Sequence, residues 1–291
     1  MTRIPLKILY LYQDRLATTF SHTVSIIFTG IVILTIIIIS IMNKKLNDSL
    51  PYRLSIFILF GDLLFSCSSL TAMNTQNKLV CSFSFLGVVF STLISLLYTL
   101  SIGLNLYITV VYRYYVGRKL TYSYYLVPLL LSIVLSSAPL VFKKINLSGS
   151  EGEATCWFDE GTMDGILWAY SVNYGWIIFS ILFCLFICVR VTSFLLFESN
   201  FFKSDLKMKQ ITIQANRKVI IRLLIFPLIP IICYTTLIIK LVFAVRFSKD
   251  LGAKISIASS FFKGLQGFLN GSLFLYNSIF YKEVERAVSK V

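Results

Sequence analysis

The sequence predicts an all-α membrane protein, a bundle of seven transmembrane helices. Three observations predict it. Seven apolar runs occupy most of the 291 residues, at about 22–42, 52–73, 82–111, 123–142, 165–197, 219–245 and 255–281. Each matches or exceeds the roughly 20 residues a helix needs to cross about 30 Å of hydrocarbon. The chain is 57% hydrophobic and 14% charged, with mean hydropathy +0.80, whereas soluble domains are about 25% charged. The runs are also continuous rather than alternating, which excludes barrel strands. Backbone groups in lipid must pair internally, which leaves the helix.

The organisation that follows is an N-terminal segment 1–21, a transmembrane domain 22–281 and a short tail 282–291. Seven spans put the termini on opposite sides. With the N-terminus outside, the inner connections hold sixteen Lys and Arg against nine in the outer ones. The positive-inside rule counts those residues and favours N-out, C-in. The expected location is the plasma membrane. The net charge of +14 sits at helix ends, which suits anionic lipid and acidic cytosolic partners rather than nucleic acid.

The elements in order carry these marks. Run one is followed by Lys44 and Lys45 without a small-residue cleavage site and reads as a signal anchor. His22 is the sole histidine and has no companion ligands, so neither a metal nor a cofactor is expected. Run two contains Asp62, the one carboxylate in the middle of a span. A charge there must face the bundle interior and find a partner. It is either an internal polar or ion site or a protonated or hydrogen-bonded structural group, with Asn105 and Asn270 as candidate partners. Cys81 opens run three, and Cys156 lies in the loop after run four. They are the only cysteines in outer, oxidising positions, so a bridge is expected. Asn146 in that loop stands in an Asn-x-Ser glycosylation sequon.

Run three ends at Tyr112-Arg113-Tyr114. Arg113 there is either a contact to a cytosolic partner or an interfacial arginine in an aromatic belt. Run five is longer than a membrane needs and projects into the cytosol. The basic segment after it, with Lys207, Lys209, Arg217, Lys218 and Arg222, is a docking surface for an acidic partner or a solvated loop near anionic lipid. Pro227 and Pro230 in run six remove backbone donors and mark a hinge or a tolerated kink. In run seven Gln266 and Asn270 share one face. Lys263 can pair with an anionic ligand, form a Schiff base with a retinal-like aldehyde or snorkel to the surface. The tail fits a short amphipathic helix on the membrane.

These marks together resemble a G-protein-coupled receptor, and most of all the cyclic-AMP-receptor-like group of slime moulds and fungi, which includes fungal nutrient-sensing receptors. The segments that carry the resemblance are Gly61-Asp62-Leu63-Leu64, Cys81, Ser101-Ile102-Gly103-Leu104-Asn105-Leu106-Tyr107, Cys156-Trp157, Arg222-Leu223-Leu224-Ile225-Phe226-Pro227 with Cys233, and Gln266-Gly267-Phe268-Leu269-Asn270. Tyr112-Arg113-Tyr114 is a loose echo of the Asp-Arg-Tyr triplet of rhodopsin-like receptors. Gly271 stands where their helix seven has proline after asparagine.

The resemblance implies a non-enzymatic receptor. An extracellular small molecule would bind beneath the second outer loop, near Trp157, Tyr234 and Lys263, and a heterotrimeric G protein would dock on the inner face. The alternatives are a transporter or channel, and a retinal-binding light sensor through Lys263.

Overall fold

The computed structural model describes residues 6–42, 50–75, 77–114, 117–144, 146–148, 155–159, 162–201, 224–241 and 249–276. Span one is α1, Leu6–Met42; span two is α2, Leu50–Asn74; span three is α3, Lys78–Val111; span four is α4, Arg118–Val141. A short hairpin follows, β1 Asn146–Ser148 antiparallel to β2 Thr155–Trp157, with Leu147 opposite Cys156. Span five begins as α5, Met163–Ala169, passes through a π-helical turn, Tyr170–Tyr174, and continues as α6, Gly175–Phe201. Span six is α7, Leu224–Leu241. Span seven is α8, Lys249–Gly264, and α9, Gln266–Tyr276. The helical ladder crosses the break at Leu265, whose N–H donates to Phe261 O (3.1 Å) and whose carbonyl accepts from Leu269 N–H (3.0 Å). The two pieces therefore form one rod, and with the six helices long and apolar enough to cross a membrane they complete the seven-helix bundle.

Span one departs from its expected start at residue 22. Helix begins at Leu6, and the stretch able to cross a membrane is Tyr12–Ile41. Its polar residues do not stop the helix because their side chains satisfy themselves on its own backbone. Thr18 Oγ1 donates to Asp14 O (2.7 Å) and Ser21 Oγ to Thr18 O (3.0 Å). The segment expected as an extracellular arm is thus largely the first turns of the span.

The buried stripe of α1 runs Thr18, Ser21, His22, Ser25, Thr29, Val32, Ile36 and Ile39, a helical spacing of three and four. It is polar near the hairpin end and apolar at the other. The opposite side exposes Phe20, Ile27, Ile31, Leu34 and Ile38, a surface suited to lipid.

Span three is the central strut. Every residue from Ser91 to Gly103 is buried. Asn77 caps its start, the side chain accepting from Leu79 N–H at 2.9 Å. Arg113, with φ of 53°, turns the chain just past its end, as a left-handed residue does after a helix. A cluster that includes Leu96, Ile181, Phe226, Ile229, Cys233 and Leu273 packs spans three, five, six and seven together.

The hairpin is clamped to span three by the Cys81–Cys156 disulfide, Cα–Cα 5.4 Å, across a sequence separation of 75. Phe158 is buried edge-on against Phe85 (centroids 5.0 Å), and Trp157 lies 5.5 Å from the same ring and 6.1 Å from Tyr174. The disulfide thus seats an aromatic plug over spans three and five.

Candidate functional site

The bundle encloses a polar knot centred on Asp62. Its side chain is 2% exposed, and both carboxylate oxygens are engaged. Ser95 Oγ of span three donates to Oδ1 at 2.9 Å, Gln266 Nε2 of span seven donates to Oδ1 at 3.0 Å, and Asn270 Nδ2 of span seven donates to Oδ2 at 2.6 Å. Gln266 Nε2 also reaches Ser95 Oγ at 2.9 Å. One carboxylate therefore ties spans two, three and seven together. Charge-assisted bonds of this kind are each worth about 1.5–3 kcal/mol and offset the cost of withdrawing the charge from water. Gln266 and Asn270 meet the same acid because four residues is close to one helical turn.

Close approach of the backbones makes the knot possible. A Cβ on Gly267 would stand 2.3 Å from Ser25 Oγ, 2.8 Å from Thr29 Oγ1 and 3.1 Å from Asp62 Cβ. Only a residue without a side chain lets span seven lie this close to spans one and two. Gly267→Val is expected to lower the melting temperature of the purified protein by the equivalent of about 1–3 kcal/mol, the usual cost of overpacking. A melting curve unchanged from wild type would show that the helices separate freely at this point.

The other residues anticipated from sequence fall in different places. Asn105 does not join the knot, which corrects its assignment as a partner of Asp62. It lies ten residues beyond Ser95, about 15 Å along the helix axis at 1.5 Å per residue, and is half-buried. Arg113 is exposed at the end of span three, its guanidinium 5.9 Å over the ring of Phe194 in span five. Pro227 and Pro230 are both buried, and α7 stays helical through them. Pro230 has no N–H, so the carbonyl of Phe226 lacks its partner one turn later. Pro227 packs near Gly103 of span three, where an added Cβ would lie 3.6 Å from its ring.

Lys207, Lys209, Arg217, Lys218, Arg222 and the tail 282–291 lie outside the described residues. So does the side chain of Asn146, whose backbone pairs with Trp157.

One turn toward the hairpin end from Asp62, Lys263 and Tyr234, both anticipated from sequence, meet Phe65 and His22, which were not. Lys263 Nζ stands 5.0 Å over the ring of Phe65 and 5.9 Å from that of Tyr234. His22 is buried, with its ring 5.4 Å from Phe65. The longer α1 explains the miss: His22, expected at the mouth of the bundle, is two turns or more inside it. Ser95 escaped notice because it is one of several serines in span three, and only the register of α2 against α3 selects it. The π-helical turn is the third omission. It carries Asn173, buried with both amide atoms unpartnered, and turns of this kind recur at functional sites. Among the described residues there is no cluster of His, Cys, Asp and Glu able to hold a metal ion.

No protein-family model and no curated protein sequence matches the chain. The fold does match a solved structure. The crystal structure of squid rhodopsin superposes with a TM-score of 0.67 at 13% sequence identity, over 99% of this chain and 87% of that one. At this identity the likeness is one of fold: the chain is a multi-pass membrane protein built as a seven-helix bundle like that structure.

Proposed function

We propose that this protein is a cell-surface receptor which passes an extracellular ligand signal to a heterotrimeric G protein. The observation that carries the reading is the Asp62 knot. It joins three helices through one carboxylate, lies beneath the Cys81–Cys156 hairpin and faces the bundle core that packs span six. A ligand seated between the hairpin and the knot has a direct route to the relative positions of spans three, six and seven.

In this reading the hairpin end is extracellular, as the charge distribution favours. The ligand binds beneath Trp157, near Tyr234 and Lys263, and selects a state in which the inner half of span six moves outward. It can shift that balance only by its differential affinity for the two states. The G protein docks on the inner face, where Arg113 and the basic segment with Lys207, Lys209, Arg217, Lys218 and Arg222 provide positive charge. The loop residue Asn146 carries glycan. Kinship with the cyclic-AMP-receptor-like group remains part of the proposal and rests on the motifs in the sequence.

The test is guanine-nucleotide exchange on a G protein by the purified receptor in lipid nanodiscs, against a panel of small metabolites. Ligand-dependent exchange supports the proposal. Substrate flux in sealed vesicles without exchange replaces it with a transporter. The light-sensor alternative needs a counter-ion for a protonated Schiff base on Lys263. Among the described residues no carboxylate is paired with that amine, and visible absorbance after retinal addition, lost in Lys263→Ala, is the result that would restore it.

Pro227→Ala is expected to change the maximal exchange rate severalfold while ligand affinity stays within about twofold. It restores the backbone donor that proline removes, at the proposed hinge and outside the proposed pocket. Identical coupling in the variant would remove the hinge from the mechanism.

A further inference from the structure

Among the described residues, the layer above Asp62 contains bases and no acid. Lys263 precedes Gln266 by three residues and so leaves span seven on the same face, one turn nearer the hairpin. Its ammonium rests on two aromatic faces, Phe65 and Tyr234. His22 shares the ring of Phe65 from span one, is 3% exposed, and has no hydrogen-bond partner at Nδ1. Gln266 Oε1 just below is also buried and unpartnered.

Further out, a second cation, Lys240, donates to Ser256 Oγ at 3.1 Å. Asp62, the acid one turn away, is already occupied by three donors. The two bases are held in register by a tight contact between spans one and seven: a Cβ on Gly264 would come within 2.1 Å of Ser21 Oγ and 3.4 Å of His22 N.

Aromatic faces offset only part of the cost of withdrawing an ammonium from water. An intramembrane base with no acid beside it lacks its complement, and an anion supplies one.

We infer that Lys263 and His22 form an anion-receiving site, in which the ammonium pairs with a carboxylate or phosphate of a small ligand and His22 donates from Nδ1. Phe65 and Tyr234 flank the ammonium and suit a ligand whose charged group is joined to a planar or apolar body. The site deepens the receptor reading, and its role in signalling rests on that reading. An anion there sits one turn above the knot and pulls on spans one, two, six and seven at once.

The test uses the full chain in nanodiscs, with benzoate and phenyl phosphate as probes and benzamide as the uncharged control. Acetylation of Lys263 by an amine-reactive ester is followed by peptide mass spectrometry, with exposed Lys119 as the internal reference. At about 10 mM, benzoate or phenyl phosphate is expected to slow acetylation of Lys263 roughly fivefold or more and to raise the melting temperature, as any ligand of the folded state does. Benzamide is expected to do neither. The arm that responds distinguishes a carboxylate site from a phosphate site.

Lys263→Met is expected to melt above wild type in anion-free buffer, because a half-buried cation without an acidic partner has been removed, and to show no response to either probe. Lys263→Arg keeps the response. If neither anion protects Lys263, or if benzamide protects it equally, the site is overturned. The same holds if Lys263→Met melts lower than wild type and still responds to the probes. Nucleotide exchange without protection removes the anion site and leaves the receptor. Protection without exchange leaves the anion site and removes the receptor.

Discussion

Replacing either Cys81 or Cys156 with serine is expected to remove most of the folded protein from the cell surface. The double variant is expected to be no worse than either single one. The bridge closes a loop of about 75 residues, and chain entropy alone assigns such a closure about 4–5 kcal/mol. In a bilayer the unfolded helices stay partly inserted, so the entropic share is smaller, but the native side adds its own loss. Without the clamp, β2 no longer holds Trp157 and Phe158 against Phe85. Typical folding stabilities are about 5–15 kcal/mol, so a loss of this size decides whether the protein accumulates. Surface labelling of the three variants checks the result. Additive damage in the double variant would mean the two cysteines act separately.

The second large effect belongs to Asp62. Asp62→Leu is expected to abolish accumulation, because Ser95, Gln266 and Asn270 would point buried donors at a hydrocarbon side chain. Each such orphan costs about 1–3 kcal/mol. Asp62→Asn is the informative variant. Its shape is unchanged, Gln266 has a free Oε1 to turn toward the new amide, and the expected fold and yield are those of wild type. What changes is that the bonds to the knot lose their charge assistance and at least one reverses direction, the new amide donating where the carboxylate accepted. About 1.4 kcal/mol between two conformations is a tenfold change in their ratio, so basal or ligand-driven nucleotide exchange is expected to shift by about that factor. Exchange assays on matched amounts of receptor give the comparison. A dose response superposable on wild type would make Asp62 a structural tie with no part in switching.

These two sites differ in how visibly the sequence announced them. The cysteine pair was readable because span topology leaves only Cys81 and Cys156 on the outer, oxidising face of the membrane, and choosing the pair needs no finer placement than that. Asp62 was readable as a residue needing partners, since an acid in mid-membrane is costly alone. The helical spacing of Gln266 and Asn270 placed both on one face, and both do bond to it. The third partner was misread. Asn105 is the conspicuous polar residue of span three, but the register of α2 on α3 brings Ser95 to Asp62 instead.

The start of span one was misplaced for a related reason. Hydropathy counts Thr18, Ser21 and His22 as departures from a membrane helix, although the serine and threonine hydroxyls bond to their own backbone and all three side chains face the bundle rather than lipid. With that shift His22 moved from the rim to the interior, beside Lys263.

The amino-acid sequence by itself determined the number of spans, their helical form and the cysteine pair. Those follow from one-dimensional quantities: the length of apolar runs, the thickness of the bilayer and the obligation of every backbone group to bond within its own helix. Only the tertiary structure decided which polar side chains meet. Rotating a helix by one residue, about 100°, leaves its hydropathy unchanged yet exchanges the side chains it presents to its neighbours. The partners of Asp62, the burial of His22 and the two bases around Phe65 are all set by that rotation.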